Sequence, residues 1–236
     1  MELKELERLG YPLILKIVAA RPDHPIPPSI ISEVPSIQTR VVNEDRNGYT
    51  LLLRNVSLRG VVSYAIYQGE GISLSSISRR QFLIAPEGER YVRIDQVSRE
   101  IVIVAALFND GSHEGEPAAA LKLKSDQIGY ETQEGRAIPM IDRLIRDPAL
   151  DDVIRLARIK DGLSKLSSEP DDTAMRIMQS QFPDLPVDLV RKELRDAFYS
   201  ARVNLWSEVY GYAHSSGEYP PPVHPPPLAD FLRQRQ

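Results

Sequence analysis

The chain has 236 residues, 42% apolar and 26% charged, with a net charge of −4 at neutral pH and no cysteine. That length and composition support a real hydrophobic core and exclude a wholly disordered chain. Disulfides, thiolate metal sites and cysteine nucleophiles are excluded, and the basic excess or patch expected of a nucleic-acid binder is not seen.

The N-terminus "MELKELERLG" is acidic and amphipathic, and residues 2–9 can make two helical turns with Leu3, Leu6 and Leu9 on one side. It lacks the basic start, apolar run and cleavage site of a signal peptide, so the expected location is cytoplasmic by default. "YPLILKIVAA" at 11–20 is too short to cross a bilayer and contains Lys16, so no membrane span is expected. "RPDHPIPPS" at 21–29 reads as a linker, because its prolines fix φ and remove backbone donors. Residues 1–32 are therefore read as an N-terminal segment with a proline-rich linker.

Short strands follow. "IQTRVV" (37–42) precedes a turn ending in Asn47-Gly48. "YTLLLRNV" (49–56) and "VVSYAIYQ" (61–68) flank "SLRG", which predicts a hairpin. "QFLIA" (81–85) and "RYVRIDQV" (90–97) around "PEGE" predict another, and "EIVIVAALF" (100–108) is the longest strand. The spacing predicts an antiparallel β-sandwich over 33–113, Ig-like or fibronectin-like. Strict alternation along the last strand puts Ile101, Ile103, Ala105 and Leu107 on one face and Val102, Val104, Ala106 and Phe108 on the other. A plain sandwich strand needs one apolar face, so the helices that follow are expected to cover the second.

Residues 114–213 read as a helical region. Pro117 suits a first helical turn. Gly129 and Gly135 weaken the helix after it, and Pro139 is expected to kink or divide it before "IPMIDRLIR" (138–146) resumes. Asp147-Pro148 reads as the start of a helix reaching about residue 166, with Leu150, Val153, Ile154 and Ala157 on one face. "EPDDTAMRIMQSQF" (169–182) opens with proline and carboxylates, as helix N-termini do. From Val187 to about Tyr212, apolar residues fall at Val190, Leu194, Ala197, Phe198, Ala201, Leu205 and Val209, one helical stripe. Trp206, at its edge, is expected to pack rather than to hold a ligand. Residues 214–236 form a polyproline-type tail with a short turn at "LADFLR".

The acidic, glycine-punctuated stretch "FNDGSHEGEP" (108–117) holds the candidate binding residues Asp110, His113, Glu114 and Glu116. One reading gathers them on a small molecule or metal. The other makes them a corner: Asn109, Asp110 and Gly111 turn the chain, and Glu114 and Glu116 sit near a helix N-terminus, worth roughly 0.3–1 kcal/mol each. The ligand spacing is not that of an EF-hand, and one histidine does not make a zinc site, so no metal is assigned. His24, His214 and His224 lie in or beside proline-rich or flexible stretches and are read as solvent-exposed. Ser75 and Ser76 lack a nucleophile elbow, "GEGIS" (69–73) lacks phosphate-loop spacing, and no H-E-x-x-H occurs. No catalytic residue and no cofactor are assigned.

The stretch "ALFNDGSHEG" (106–115), the pair Asn55-Val56-Ser57 and Val62-Ser63-Tyr64, and the strand pattern "LLLRNVSLRGVVSYAIY" together resemble a group of uncharacterised bacterial proteins, many from acidobacteria. Over residues 37–146, just under half the chain, the resemblance implies a short Ig-like sandwich ending in a D-G-S turn and a helix. Members usually carry a signal sequence and are often exported; they supply no activity to carry over. The expected fold is therefore α+β, a sandwich with a helical region packed on it. The expected function is a non-enzymatic structural or protein-interaction module, with a protein partner on the helical face or on the "PPPVHPPP" tail. The alternative is a small-molecule or metal-binding protein using the corner from Asp110 to Glu116.

Overall fold

The computed structural model describes residues 29–45, 48–68, 72–75, 82–94, 100–214 and 232. The expected helix at 2–9, most of the linker, His24, His224, Ser76 and most of the tail lie outside these residues. The strands are β1 (Ser29–Ser32), β2 (Ile37–Asp45), β3 (Gly48–Asn55), β4 (Val61–Tyr67), β5 (Ile72–Ser75), β6 (Glu89–Ile94), β7 (Glu100–Phe108) and β8 (His113–Gly115). One sheet has the order β2–β3–β6, the other β1–β7–β4–β5 with β8 also on β7. The protein is thus α+β, with two sheets, mostly antiparallel, followed by helices.

The β2–β3 hairpin is present, with Asp45 opposite Gly48. The expected hairpin across "SLRG" is not. β3 pairs with β2 and β6, whereas β4 pairs with β5 and β7, so "SLRG" carries the chain from one sheet to the other. Buried Asn55 holds this crossing. Its amide donates to the carbonyls of Arg59 (2.6 Å) and Ala85 (3.0 Å), and its Oδ1 accepts from the Ser57 amide (3.0 Å) and hydroxyl (2.9 Å). The second expected hairpin fails likewise: Ile84 bridges to Val61 and β6 pairs with β3. A short polar gap containing glycine suits a hairpin and a sheet-crossing corner equally, because local propensity does not say which sheet a strand joins. The sheets also begin before the expected boundary, since β1 lies parallel to β7 with Ser29 opposite Glu100.

Between the sheets lies one apolar cluster, including Ile37, Tyr49, Leu51, Leu53, Val61, Tyr64, Ile66, Ile101, Ile103, Ala106 and Phe108. On the far side of β4 and β7, Ala65, Ala105 and Leu107 pack with residues of the helices in a second cluster, joined by Val62 and Val104. β7 is buried on both faces, as its composition requires. Strict alternation does not hold along it. Ala65 is opposite Ala105 while Ile66 is opposite Ile103, so Val104 is an extra residue in β7. A second irregularity between Val61 and Ser63 leaves Val62 extra in β4. Such a bulge shifts side-chain parity by one residue. Ala106 and Phe108 therefore join Ile101 and Ile103 in the sandwich, and Ala105 and Leu107 turn to the helices.

Among the described residues from 117 to 214, four helices follow: α1 (Pro117–Arg146), α2 (Asp152–Ser164), α3 (Asp172–Gln181) and α4 (Val187–His214). α1 is not divided. It runs through Pro139, and its C-terminal half packs in a third cluster through Ala137 and Ile141 with Ile159, Leu163, Leu205 and Val209. Packing on both neighbours offsets the backbone hydrogen bond that proline removes. Gly129 marks a close approach of α1 to α4: a Cβ there would lie 2.8 Å from the Ala197 carbonyl carbon. The cap of α2 is Asp151, not Asp147; its carboxylate accepts from the Ile154 amide at 2.7 Å. Its inward face is also shifted. Leu156, Ile159 and Leu163 pack inward, whereas Val153 (78%) and Ile154 (45%) are exposed. α3 is capped by Asp171 through the Ala174 amide (2.9 Å). On α4 all seven stripe residues from Val190 to Val209 are buried, as their spacing requires.

Two glycines set a contrast. Gly115 has φ +89°, and a Cβ there would lie 2.2 Å from the Val104 carbonyl oxygen. At Gly135, mid-helix, a Cβ would meet nothing within 4 Å. Gly115→Ala should cost more than about 2 kcal/mol in urea unfolding, whereas Gly135→Ala should gain up to about 1 kcal/mol. Equal effects of the two substitutions would refute the assignment of Gly115 as a backbone-contact position.

Candidate functional site

The corner after β7 is built by the chain reversing twice. Phe108 ends β7, residues 109–112 turn, and β8 pairs back with His113 opposite Leu107. Gly111 (φ +84°) and Gly115 take the left-handed conformations that the two bends need. Glu116 is then the N-cap position and Pro117 opens α1.

The four candidate residues do not converge. Asp110 closes its own turn, accepting from the Ser112 amide (2.9 Å) and hydroxyl (2.5 Å). Those two bonds hold its carboxyl below the usual carboxylate range. His113 stacks on Phe182, at the end of α3, with ring centroids 4.7 Å apart. Burial lowers its pKa, so the folded state favours the neutral ring. Glu116 is exposed and makes no side-chain cap bond. Glu116 therefore stands at the helix N-terminus, as expected, without a side-chain cap bond, whereas Glu114 is turned to other partners, which corrects the expectation for Glu114. Among the described residues, no group of three or more His, Asp or Glu side chains gathers as a metal-binding set.

Glu114 instead reaches across to two loops. One oxygen accepts the Ser36 amide (2.9 Å); the other accepts the Ser36 hydroxyl (2.7 Å) and pairs with the Arg59 guanidinium. Burial by itself would raise this carboxyl, but the bonds from Ser36 and Arg59 outweigh it, and the group stays low. Arg59 also donates to the hydroxyls of Ser112 (2.8 Å) and Ser36 (3.1 Å), and its plane lies 3.9 Å from the Phe108 ring centroid. Asn109 completes the join. Its Oδ1 accepts from the Gly60 amide and its backbone amide donates to the Gly60 carbonyl, both at 2.9 Å.

The cluster therefore ties together the β1–β2 loop, the sheet-crossing loop and the β7–β8 turn. Ser36 and Arg59 were not legible as partners of Glu114. The one available signal was a single charged residue inside "SLRG", a loop otherwise free to be neutral. The Arg59 and Glu114 side chains keep 31% and 19% of their surface exposed, so the pair is reachable from solvent while its hydrogen-bonding capacity is largely used internally. Comparison with models of known protein families, with curated proteins and with solved structures finds no match to this chain.

The pair has a measurable signature. In a double-mutant cycle, Arg59→Met and Glu114→Gln should each cost about 1.5–3 kcal/mol and together much less than the sum. Because the folded Glu114 carboxyl is depressed, its contribution is full above the ordinary glutamate value of about 4.3 and is lost as pH falls through the folded value. Additive costs would show that the two residues act separately.

His113 gives the opposite residue type with the same sign. A histidine depressed on folding contributes stability above its unfolded value of about 6.5, and this is lost as pH falls. The urea midpoint should drop between pH 7.5 and 5.5 in the native chain, and the slope should flatten in His113→Phe. An unchanged slope would show that His113 is not the group responsible.

Proposed function

We propose that the protein is a non-enzymatic interaction module in which an Ig-like, fibronectin-type sandwich carries a helical layer that docks a protein partner. The strand order supports the first half. β2–β3–β6 corresponds to A–B–E, and β5–β4–β7–β8 to C′–C–F–G, with the chain changing sheets after B, after C′ and again after E, as in such sandwiches. The resemblance to the acidobacteria-type group is consistent with this order. β1 is an addition that occupies part of the G edge of β7.

One observation carries the interaction reading. α4 has a second apolar stripe, opposite its buried one. Tyr199 (54% exposed), Val203 (44%) and Tyr210 (48%), with half-buried Trp206 between them, follow one another at steps of four, three and four. Arg202 lies over the Tyr199 ring at 5.1 Å, Lys160 over Trp206 at 5.5 Å, and Trp206 and Tyr210 are 5.5 Å apart. Tyrosine, tryptophan and arginine are the residue types that dominate protein-interface energetics. An aromatic row on the outside of a helix already packed on its inside is a surface for a second protein. A ligand role for the corner is the weaker reading, since both Glu114 oxygens are taken by Ser36 and Arg59.

The test is site-specific photo-crosslinking from position 203 in the source cell. A discrete protein adduct is expected, and the pair Tyr199→Asp with Tyr210→Asp should remove it while shifting the melting temperature by only a few degrees. No discrete adduct, or one indifferent to both substitutions, would sink the proposal.

A further inference from the structure

Among the described residues, β6 is an edge of the β2–β3–β6 sheet, and no strand pairs with its outer side. The phase of its ladder with β3 decides which main-chain groups that side presents. Arg54 is opposite Glu89 and Leu52 opposite Tyr91, and the Asn55 amide donates directly across to the Gly88 carbonyl at 2.9 Å. Antiparallel pairs alternate between those that exchange hydrogen bonds and those that do not. Arg90, Val92 and Ile94 therefore turn their amides and carbonyls to β3, and Glu89, Tyr91 and Arg93 turn theirs out of the sheet. The side chains of Glu89, Tyr91 and Arg93 are exposed as well, with Tyr91 at 64%.

Such a row is a template for another strand. The other edges are blunted. β2 carries the extra residue Val42, β1 and β5 have 4 residues each, and β8 has 3. β6 has 6 residues, no proline and no register shift against β3. Charges on an edge deter pairing when they meet their own sign. In β6 the signs differ on the two sides of Tyr91, so a strand turned on itself about Tyr91 brings Glu89 to Arg93. Glu89 makes no ion pair among the described residues; Arg93 has contacts within its own chain, and only the sign of its charge enters here.

We infer that β6 is a self-complementary edge whose partner is β6 of a second copy, paired antiparallel about a two-fold axis at Tyr91. The sheet β2–β3–β6 then continues into β6–β3–β2 of the second copy. Tyr91 faces Tyr91, and Glu89 faces Arg93. Each pair exchanges both main-chain bonds, because all of these groups point outward. On the sandwich face Arg90 falls opposite Val92 of the second copy, and its guanidinium is already engaged by the Leu83 carbonyl at 3.3 Å. A slip of one residue sets outward groups against inward ones; a slip of two loses a pair and parts the tyrosines. The aromatic pair and the opposite charges add to the ladder. The contact is small, so the dimer is concentration-dependent, with a Kd on the order of tens of micromolar or weaker.

The test uses the full-length chain in sedimentation equilibrium and residue-resolved amide exchange, from micromolar to millimolar concentration. The Tyr91 and Arg93 amides should gain protection as dimer forms, whereas those of Arg90 and Val92 should be protected throughout. Tyr91→Lys sets like charges on the axis and should weaken the dimer at least ~10-fold. Glu89→Arg should also weaken it, and adding Arg93→Glu should restore it, a rescue that a folding defect does not produce. Tyr199→Asp with Tyr210→Asp should leave the dimer unchanged, which separates this edge from the aromatic row of α4. A chain that stays monomeric to millimolar concentration would overturn the inference. So would a dimer indifferent to Tyr91→Lys, a charge exchange that does not rescue, or protection that rises at the α4 row instead of β6.

Discussion

The structure depends on one strand being buried on both faces. β7 lies between the sandwich core and the helical layer, so it must present apolar side chains to two environments that differ in depth and shape. Each large apolar side chain so buried is worth about 1.5–3 kcal/mol relative to exposure, and neither layer alone covers it. The extra residue at Val104 is how the strand serves both. Its first half aims Ile101 and Ile103 into the sandwich; after the bulge, Ala106 and Phe108 take that role and Ala105 and Leu107 meet the helices. The small alanines at 105 and 65 let the helices approach, and buried Ala119 and Ala120 of α1 meet them with equally small side chains. The whole corner is dense there, which is why Gly115 sits against the Val104 carbonyl.

The polar cluster at the end of β7 follows from the same burial. A strand that leaves a two-sided core must turn without stranding its backbone groups, and three loops from both sheets meet at that point. Arg59 and Glu114 satisfy most of the resulting polar demand, with Ser36, Ser112 and Asn109 taking the rest. An ion pair in such a place specifies geometry more than it adds stability, since partial burial offsets much of its Coulombic gain. It fixes which loop faces which, and so the mutual setting of the sheets and the start of α1.

The helical layer is asymmetric in a way that a simple cover for a sheet is not. α1 and α4 are long, cross closely at Gly129 and Ala197, and extend beyond the sheet to form a third cluster with α2. That overhang creates surface with no duty toward the sandwich. It carries the aromatic row of α4. A helical layer built only to seal β7 would not need it.

The sequence by itself determined the features set by local periodicity. The α4 stripe is legible because a helix repeats its buried face every three or four residues, and every residue so identified is buried. The two-faced strand is legible from composition, since no solvent-facing strand carries an unbroken apolar run; the end of β2 in a turn at Asn47-Gly48 and Pro117 at a helix start follow from turn and cap chemistry. The tertiary structure alone decided what depends on distant partners. A bulge is invisible locally because it is fixed by the register with β4, so the parity of Ala105 to Phe108 could not be read. "SLRG" crosses between sheets because β3 and β4 each find better partners elsewhere, a choice made by β6 and β7 some thirty or more residues away. Pro139 stays within α1 because packing against α2 and α4 outweighs a local preference to break. Glu114 meets Arg59 and Ser36 rather than the helix it precedes because three loops converge there, and a side chain's partners are set by where the backbone brings them in space and not by its neighbours in the chain.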